Sequence, residues 1–337
     1  RYLTRRTVSP GEQRSNKATG HTTPVGLCVP INGAPALRLY DRIPLPVRTG
    51  LTIGLNAQFD PDSARSTLQP NKWNEARFAD LGRLVTWSVL QAFEQDILSA
   101  WVYVPLTTEP DQDDGWTDAR IRDLVASCHQ ELRDQLKVRT GGGATALSDL
   151  AYENEELEPL LTEQDVERLR PDRVALPRAG RDSEGRWRLV LDDLGQSDVV
   201  GLTDALDVVD GTPGRSPEWF VAFAALAEAH DLTPQFVSRP GILLEDGTAI
   251  SRPQQTDTWV LVKRASPEAL AMRLGLARRI HPVYLDPDAK ASAFVHKLEI
   301  LGVLFDDRDF SADVFSILER GPATGAGAET TVRLQDG

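Results

Sequence analysis

The sequence predicts an α+β protein: an antiparallel β meander followed by helices, then a second mixed, helix-rich α+β unit. Three observations carry this expectation. Apolar residues alternate between Val25 and Ala57; they recur at three- and four-residue spacing after Trp73 and after Thr117; and a stretch rich in Pro, Arg, Gly and Asp runs from Pro171 to Gly185. Alternation marks a half-buried strand, and the wider spacing marks an amphipathic helix. At 337 residues, 41% apolar and 26% charged, the chain is long enough for about two domains.

Residues 1–24 mix Arg, Ser, Thr, Gly and Asn without apolar periodicity, which predicts a flexible N-terminal segment. Val25, Leu27, Val29 and Ile31 then alternate up to Asn32-Gly33, a pair suited to a tight hairpin. Leu37 and Leu39, then Ile43, Leu45 and Val47, continue the pattern, with Pro44 and Pro46 assigning that end to a sheet edge. Leu51, Ile53 and Leu55 make the last strand of the meander. Polar residues 56–71 form a loop into a helix that starts near Trp73, with Phe78, Leu81, Leu84, Val85, Val89 and Ala92 along one stripe.

Trp101 to Leu106 reads as a further strand. After the acidic turn Asp111 to Asp114, Thr117 caps a helix whose stripe is Ile121, Leu124, Val125, Cys128 and Leu132, which makes Cys128 a core residue. Thr140 to Ala144 reads as a flexible joint, followed by an acidic helical stretch up to Pro171. The Pro171 to Gly185 stretch then sets the domain boundary, giving a first domain over residues 25–171 and a second over 185–320.

The second domain is expected to open with a strand from Trp187 to Leu191. Helices start at Ser216-Pro217-Glu218 and Ser266-Pro267-Glu268, each with a capping hydroxyl, Pro at the first helical position and an acid at the positive end of the dipole. Glu245 to Thr248 joins two short strands and Trp259 to Val262 is another. Helices are expected over Asp288 to Gly302 and Ser311 to Glu319, before a polar tail at 321–337.

Charge and cysteine usage narrow the function classes. A formal charge of −13 opposes sequence-independent binding to a phosphate backbone, so nucleic acid is not expected as the main partner. The first fifty residues run the other way, with eight Arg and Lys against two acids. Salt-dependent nucleic-acid binding through residues 1–24 is accordingly the last-ranked reading. Two cysteines, Cys28 and Cys128, do not make a disulfide framework or a zinc site, which places the protein in a reducing compartment, the cytoplasm. No apolar run reaches the ~18 residues of a membrane span, so no membrane partner is expected. Arg-heavy, Lys-poor usage suggests a bacterial source. The first residue is Arg1 rather than Met, as expected of a piece of a longer chain.

The five histidines are dispersed, with no His-Glu-x-x-His helix and no Gly-x-Ser-x-Gly elbow. The triple glycine at 141–143 lacks the Gly-Lys-Ser/Thr ending of a phosphate-binding loop. Asp210-Gly211-Thr212-Pro213-Gly214 has its glycine one place away from an adenine-binding turn, and a plain turn is the simpler reading. Asp192-Asp193, Asp286-Pro287-Asp288 and Asp306-Asp307 have the composition of Mg²⁺ ligands but also of turns and caps; no metal-binding residue is assigned.

The run Thr49-Gly50-Leu51-Thr52-Ile53-Gly54-Leu55-Asn56-Ala57-Gln58-Phe59-Asp60, preceded by Leu45-Pro46 and followed by Arg65 and Trp73-Asn74, resembles the segment after the nucleotide site in sacsin-like GHKL ATPases. Ser63-Ala64-Arg65-Ser66-Thr67-Leu68-Gln69 is similar to a loop in the middle domain of the ninety-kilodalton heat-shock chaperones, apart from the inserted Ala64 and from Ser66 where an acid is usual. The resemblance covers residues 25 to about 100, and weakly Leu274 to Pro282 beyond.

The resemblance implies a transducer or middle-domain-like first domain and a chaperone-type ATPase. Arg65 and Gln69 would be the catalytic pair, with Arg65 also the cofactor-binding residue, both reaching the terminal phosphate of ATP. ATP and Mg would be bound mainly by a preceding nucleotide-binding domain, since the ATP-binding helix and glycine loops of that superfamily are not found after Arg1. The second unit would bind a protein client or partner. No complete active site is expected in this chain, and a non-enzymatic protein-interaction scaffold with the same fold is the alternative. On the residues alone, a guanidinium at a sheet end suits phosphate oxygens, and Gln69 suits a water or a phosphate oxygen. The alternative is that Arg65 pairs with Asp60 or Asp62 and ties its own loop. Trp73 reads as a helix–sheet anchor through its indole N–H, and Asn71 or Asn74 as the helix cap.

Overall fold

The structure, a computed structural model, describes residues 2–7, 22–28, 38–41, 43–95, 100–106, 115–182, 185–195, 198–210, 214–254, 257, 259–263, 272, 275, 277–286 and 291–305. The fold is α+β and begins with a mostly antiparallel sheet. The chain forms two compact units, Arg1–Tyr152 with Val166–Val199, and Glu153–Asp165 with Val200–Gly337.

The first unit is built on five strands, β1 (Tyr2–Thr7), β2 (Thr22–Cys28), β3 (Arg38–Asp41), β4 (Ile43–Arg48) and β5 (Gly54–Ala57), in the order β1-β2-β5-β3-β4. This corrects the meander. β5 inserts between β2 and β3, pairing antiparallel with β2 (Leu27↔Leu55) and parallel with β3 (Leu39↔Leu55). Alternation fixes which face is apolar but not which strand is the neighbour, and Leu27, Leu39 and Leu55 are all fully buried whichever order is chosen. Gly54 permits the close approach at this junction: a Cβ there would lie 2.9 Å from the Tyr40 ring and 3.2 Å from Cys28 Cβ.

β4, with its two prolines, is an edge strand as expected. Leu51 and Ile53 are buried in the turn before β5 rather than in a strand. Tyr2–Thr7 and Thr22–Cys28 pair along the other edge, so part of the N-terminal segment read as flexible is sheet. An edge strand needs only backbone partners, and its polar sequence hid it. The Asn32-Gly33 turn lies outside the described residues.

Helix α1 (Lys72–Glu94) lies on this sheet and against α2 (Gly115–Gln135). The apolar stripes place Leu81, Val85 and Val89 on one side of the contact and Leu124, Cys128 and Leu132 on the other, all buried. Gly82 keeps the helices close enough for the Cys128 thiol to donate to Gly82 O at 3.4 Å. Burial pushes the Cys128 thiol up to about 11, in keeping with a core residue. Residues 100–103 form a 3-10 turn instead of a strand; Trp101 is buried there edge-on to Phe93. The acidic turn 111–114 lies outside the described residues.

Three further expectations are corrected over residues 137–181. Thr140 to Ala144 is the turn of a hairpin, β6 (Lys137–Thr140) with β7 (Gly143–Ala146), closed by the Thr140 hydroxyl and Thr145 hydroxyl at 2.8 Å. The acidic stretch contains β8 (Leu150–Glu153) before the single short helix α3 (Glu163–Leu169). β8 pairs with β9 (Val174–Ala175), which lies inside the expected boundary stretch. That stretch belongs to the first unit because its backbone carbonyls are used: Trp101 Nε1 donates to Gly180 O at 2.7 Å and the Arg181 guanidinium to Leu176 O at 2.8 Å. Pro and Gly marked irregular backbone, which here is packed rather than free.

Trp187 to Leu191, read as a strand, is in helix α4 (Arg186–Leu194). Trp187, Val190, Leu191 and Leu194 are buried at helical spacing, a stripe that a five-residue window cannot reveal. Asp182 accepts from the Arg186 and Trp187 N–H groups, and left-handed glycines at 185 and 195 bound the helix. β10 (Asp198–Val200) completes a small sheet in the order β10-β8-β9.

The second unit contains α5 (Leu202–Val209), α6 (Pro217–Ala229), α7 (Thr233–Val237) and α8 (Ser292–Ile300). As expected, Ser216 caps α6 by accepting from Trp219 N at 3.3 Å, with Pro217 in the first turn. Strands β11 (Ile242–Leu243) and β12 (Ala249–Ile250) flank the turn at 245–248. A parallel sheet, β14 (Ala277–Arg279), β13 (Val260–Val262) and β15 (Leu304–Phe305) in that order, accompanies them. Phe223 stacks on Phe236 at 5.3 Å and Phe236 meets Phe294 edge-on at 5.8 Å, forming the core. The helix starts at Ser266, the helix at 311–319 and the tail at 321–337 lie outside the described residues.

Candidate functional site

The loop between β5 and α1 carries Arg65 and Gln69, and its shape is set by α1. Asn71 is the N-cap, its Oδ1 accepting from Asn74 N at 2.9 Å. Asn74, fully buried, accepts from Asp60 N and donates to Asp60 O and Gln69 O, each at 2.8 Å. The Trp73 indole N–H donates to Gln58 O at 2.6 Å, the anchor its sequence position implied. Beneath them the buried Arg77 guanidinium lies 4.6 Å from the Trp73 ring centre and 2.9 Å from Asp80 Oδ2.

The outer part of the loop is organised by Asp62. Its carboxylate accepts from Ser66 N at 2.7 Å, from the Ser66 hydroxyl at 2.8 Å and from Thr67 N at 3.3 Å. The Ser66 hydroxyl, aided by the loop N–H groups, holds this carboxyl below its ordinary value of 3.8. Arg65 N donates to Asp62 O at 3.1 Å and Arg65 takes φ = 59°, a left-handed conformation unusual for a side chain of this size. Ser66, the residue at which this loop departs from the one it resembles, is thus a partner of Asp62.

Arg65 pairs with neither Asp60 nor Asp62. Its Nη2 lies 3.3 Å from Asp41 Oδ2 and donates to Asp41 O at 3.5 Å. The Arg65 side chain is 44% exposed and that of Asp41 only 10%. Gln69 donates from Nε2 to Pro61 O at 3.3 Å and is exposed, folded onto its own loop. The structure shows no hydrogen bond between Arg65 and Gln69 among the described residues. Asp41 was missed by sequence reasoning because β3 and the loop are distant in sequence; one of only two acids in the basic first fifty residues, placed at a strand end, was the available signal.

A separate cavity of about 430 Å³ runs along α2, lined among others by Thr49, Arg122, Val125, His129, Arg133 and Asp193. The buried His129 donates from Nε2 to Pro105 O at 2.6 Å, and Arg133 donates from Nε to Leu194 O at 2.6 Å. Neither Arg65 nor Gln69 lines it. Asp192 and Asp193 turn to different partners: Asp192 accepts from the Tyr152 hydroxyl at 3.2 Å, while Asp193 Oδ2 lies 3.8 Å from His129 Nε2; Asp288, Asp306 and Asp307 lie outside the described residues. Among the described residues no group of three or more His, Cys, Asp or Glu is placed to hold a metal, and no helix is long and apolar enough to cross a membrane.

Chemically, the β5–α1 loop offers an anion one guanidinium on a braced backbone. Comparison of the chain with protein-family models, with curated proteins and with solved structures gave no match.

Proposed function

We propose that this chain is the transducer and partner-binding region of a sacsin-like, chaperone-type ATPase, which presents Arg65 to a nucleotide site in a preceding domain. The observation that carries the reading is a guanidinium 44% exposed on a loop whose backbone is fixed from both sides by Asn74 and Asp62. A braced donor loses little freedom when it meets an anion, which is what stabilising charge on a phosphoryl group requires. When bound, ATP and Mg would supply the phosphoryl group and its counter-charge, mainly in the preceding domain. This chain's part is to orient a planar fork toward the terminal oxygens. Gln69 would join after leaving Pro61 O. The second unit would engage a protein client or partner, and two free cysteines accord with a cytoplasmic setting.

The test is kinetic. In the full-length protein, Arg65→Ala should lower kcat for ATP hydrolysis by roughly 10³-fold while nucleotide KM changes little, and the 337-residue chain alone should hydrolyse no ATP. An unchanged kcat would overturn the reading. The Arg65–Asp41 pair then favours the alternative, a non-enzymatic interaction scaffold in which Arg65 ties its loop to the sheet.

A further inference from the structure

Arg65 ignores the nearest carboxylate in its own loop. Asp62 uses both oxygens on Ser66 and Thr67, and the guanidinium instead reaches Asp41, 24 positions earlier at the end of β3. The contact is loose on one side only. One nitrogen, Nη2, serves both Asp41 Oδ2 at 3.3 Å and Asp41 O at 3.5 Å, and the other guanidinium nitrogens have no partner among the described residues. The carboxylate is largely enclosed while the guanidinium is not. The fixed member of the pair is therefore the acid, and the adaptable member is the base.

Resting on the reading above, we propose that Asp41 determines the specificity of the Arg65 site: it is a tethered carboxylate that holds the guanidinium until a multiply charged phosphate displaces it. A tethered group competes at an effective concentration of roughly millimolar or more. A monoanion such as acetate carries the same charge as Asp41 and must work against that tether. The terminal group of an oligophosphate brings more charge and two oxygens in one plane, which match the guanidinium fork that Asp41 leaves mostly unused. Occupation by an internal anion thus rejects weak ligands without adding a contact to the right one. The ligand class is an oligophosphate end rather than a carboxylate or a halide.

The experiment follows the Arg65 side-chain Nε–H resonance in the full 337-residue chain during titration with sodium tripolyphosphate and, separately, with sodium acetate. Tripolyphosphate should shift the resonance in the wild type and acetate should not. In Asp41→Asn, and in Asp41→Ser as a second variant, the apparent Kd for tripolyphosphate should fall roughly tenfold and acetate binding should appear, because the internal competitor is gone. The backbone amide resonances of residues 60–69, followed in the same titrations, should shift with tripolyphosphate in the wild type and stay in place in Arg65→Ala. Equal affinity in the wild type and both Asp41 variants would overturn the proposal yet leave the Arg65 reading standing. Arg65→Ala shifting like the wild type would sink the Arg65 reading and this proposal together. Lower thermal stability in the Asp41 variants with unaltered titrations would show a purely structural ion pair and overturn the proposal.

Discussion

Asn74 clasps Asp60 by both ends of its amide, its Oδ1 accepting from the Asp60 N–H and its Nδ2 donating to the Asp60 carbonyl, each at 2.8 Å. The same Nδ2 reaches Gln69 O, so one buried side chain closes the loop that carries Arg65. Asn74→Ala strands these backbone groups and should destabilise the first unit by about 2–4 kcal/mol. A lowered urea midpoint, with faster exchange of the Asp60 amide proton, is the expected outcome. Asn74→Asp should also lose stability, since a carboxylate cannot donate to the two carbonyls. An unchanged midpoint in both would mean that the loop is closed by other means.

Gly241 has no room for a methyl group. A Cβ there would lie 2.7 Å from Phe236 O and 2.9 Å from the Phe236 ring, and that ring is stacked in the aromatic core. Gly241→Ala should cost the second unit about 1–3 kcal/mol, because backbone must shift to relieve the overlap. Gly142→Ala, at a hairpin turn with open space around it, is the control and should stay within about 0.5 kcal/mol. Thermal midpoints of the two variants check the contrast.

Asp165 gives the second unit a pH dependence. Burial alone would raise its carboxyl, but bonds from Arg215, 2.5 Å away, and from Thr162 outweigh burial and hold it below the ordinary 3.8. A folded-state value below the unfolded one means that the contribution is complete above the unfolded value and lost as pH falls through the folded one. Urea midpoints taken from about pH 6 down to pH 2 should therefore fall below pH ~4, and Asp165→Asn should flatten part of that decline while lowering the midpoint at neutral pH. A wild-type curve indistinguishable from that of Asp165→Asn would refute the assignment.

Helices were the more legible part of the fold. The stripes of α1 and α2 are long enough to define a face, and Ser216-Pro217-Glu218 marked the start of α6 through chemistry confined to one turn. Strand order was not legible, because the alternation around Leu27, Leu39 and Leu55 specifies burial and leaves partner choice to long-range packing. Trp187 to Leu191 misled for the opposite reason: four buried positions at helical spacing fit inside nine residues, too few to separate from a strand. At the candidate site, Trp73 and Asn71 took the anchoring and capping roles that their positions suggested. Asp41 could not be read, since an ion pair across 24 positions depends on the insertion of β5 beside β3, a property of the sheet and not of either segment.

The passage of the backbone between the units at 152–153, 165–166 and 199–200 bears on how the protein can be taken apart. A discontinuous unit has no single severing point. Ending a truncated chain within 171–185 would delete α4 and its Trp187 from the first core, and starting one there would remove the Glu153–Asp165 piece that supplies Leu160 O to the Trp219 indole. Each half so obtained would expose apolar surface that the intact polypeptide covers. Dissection must instead excise and rejoin segments, treating 153–165 as an insertion borrowed by one body from within the other.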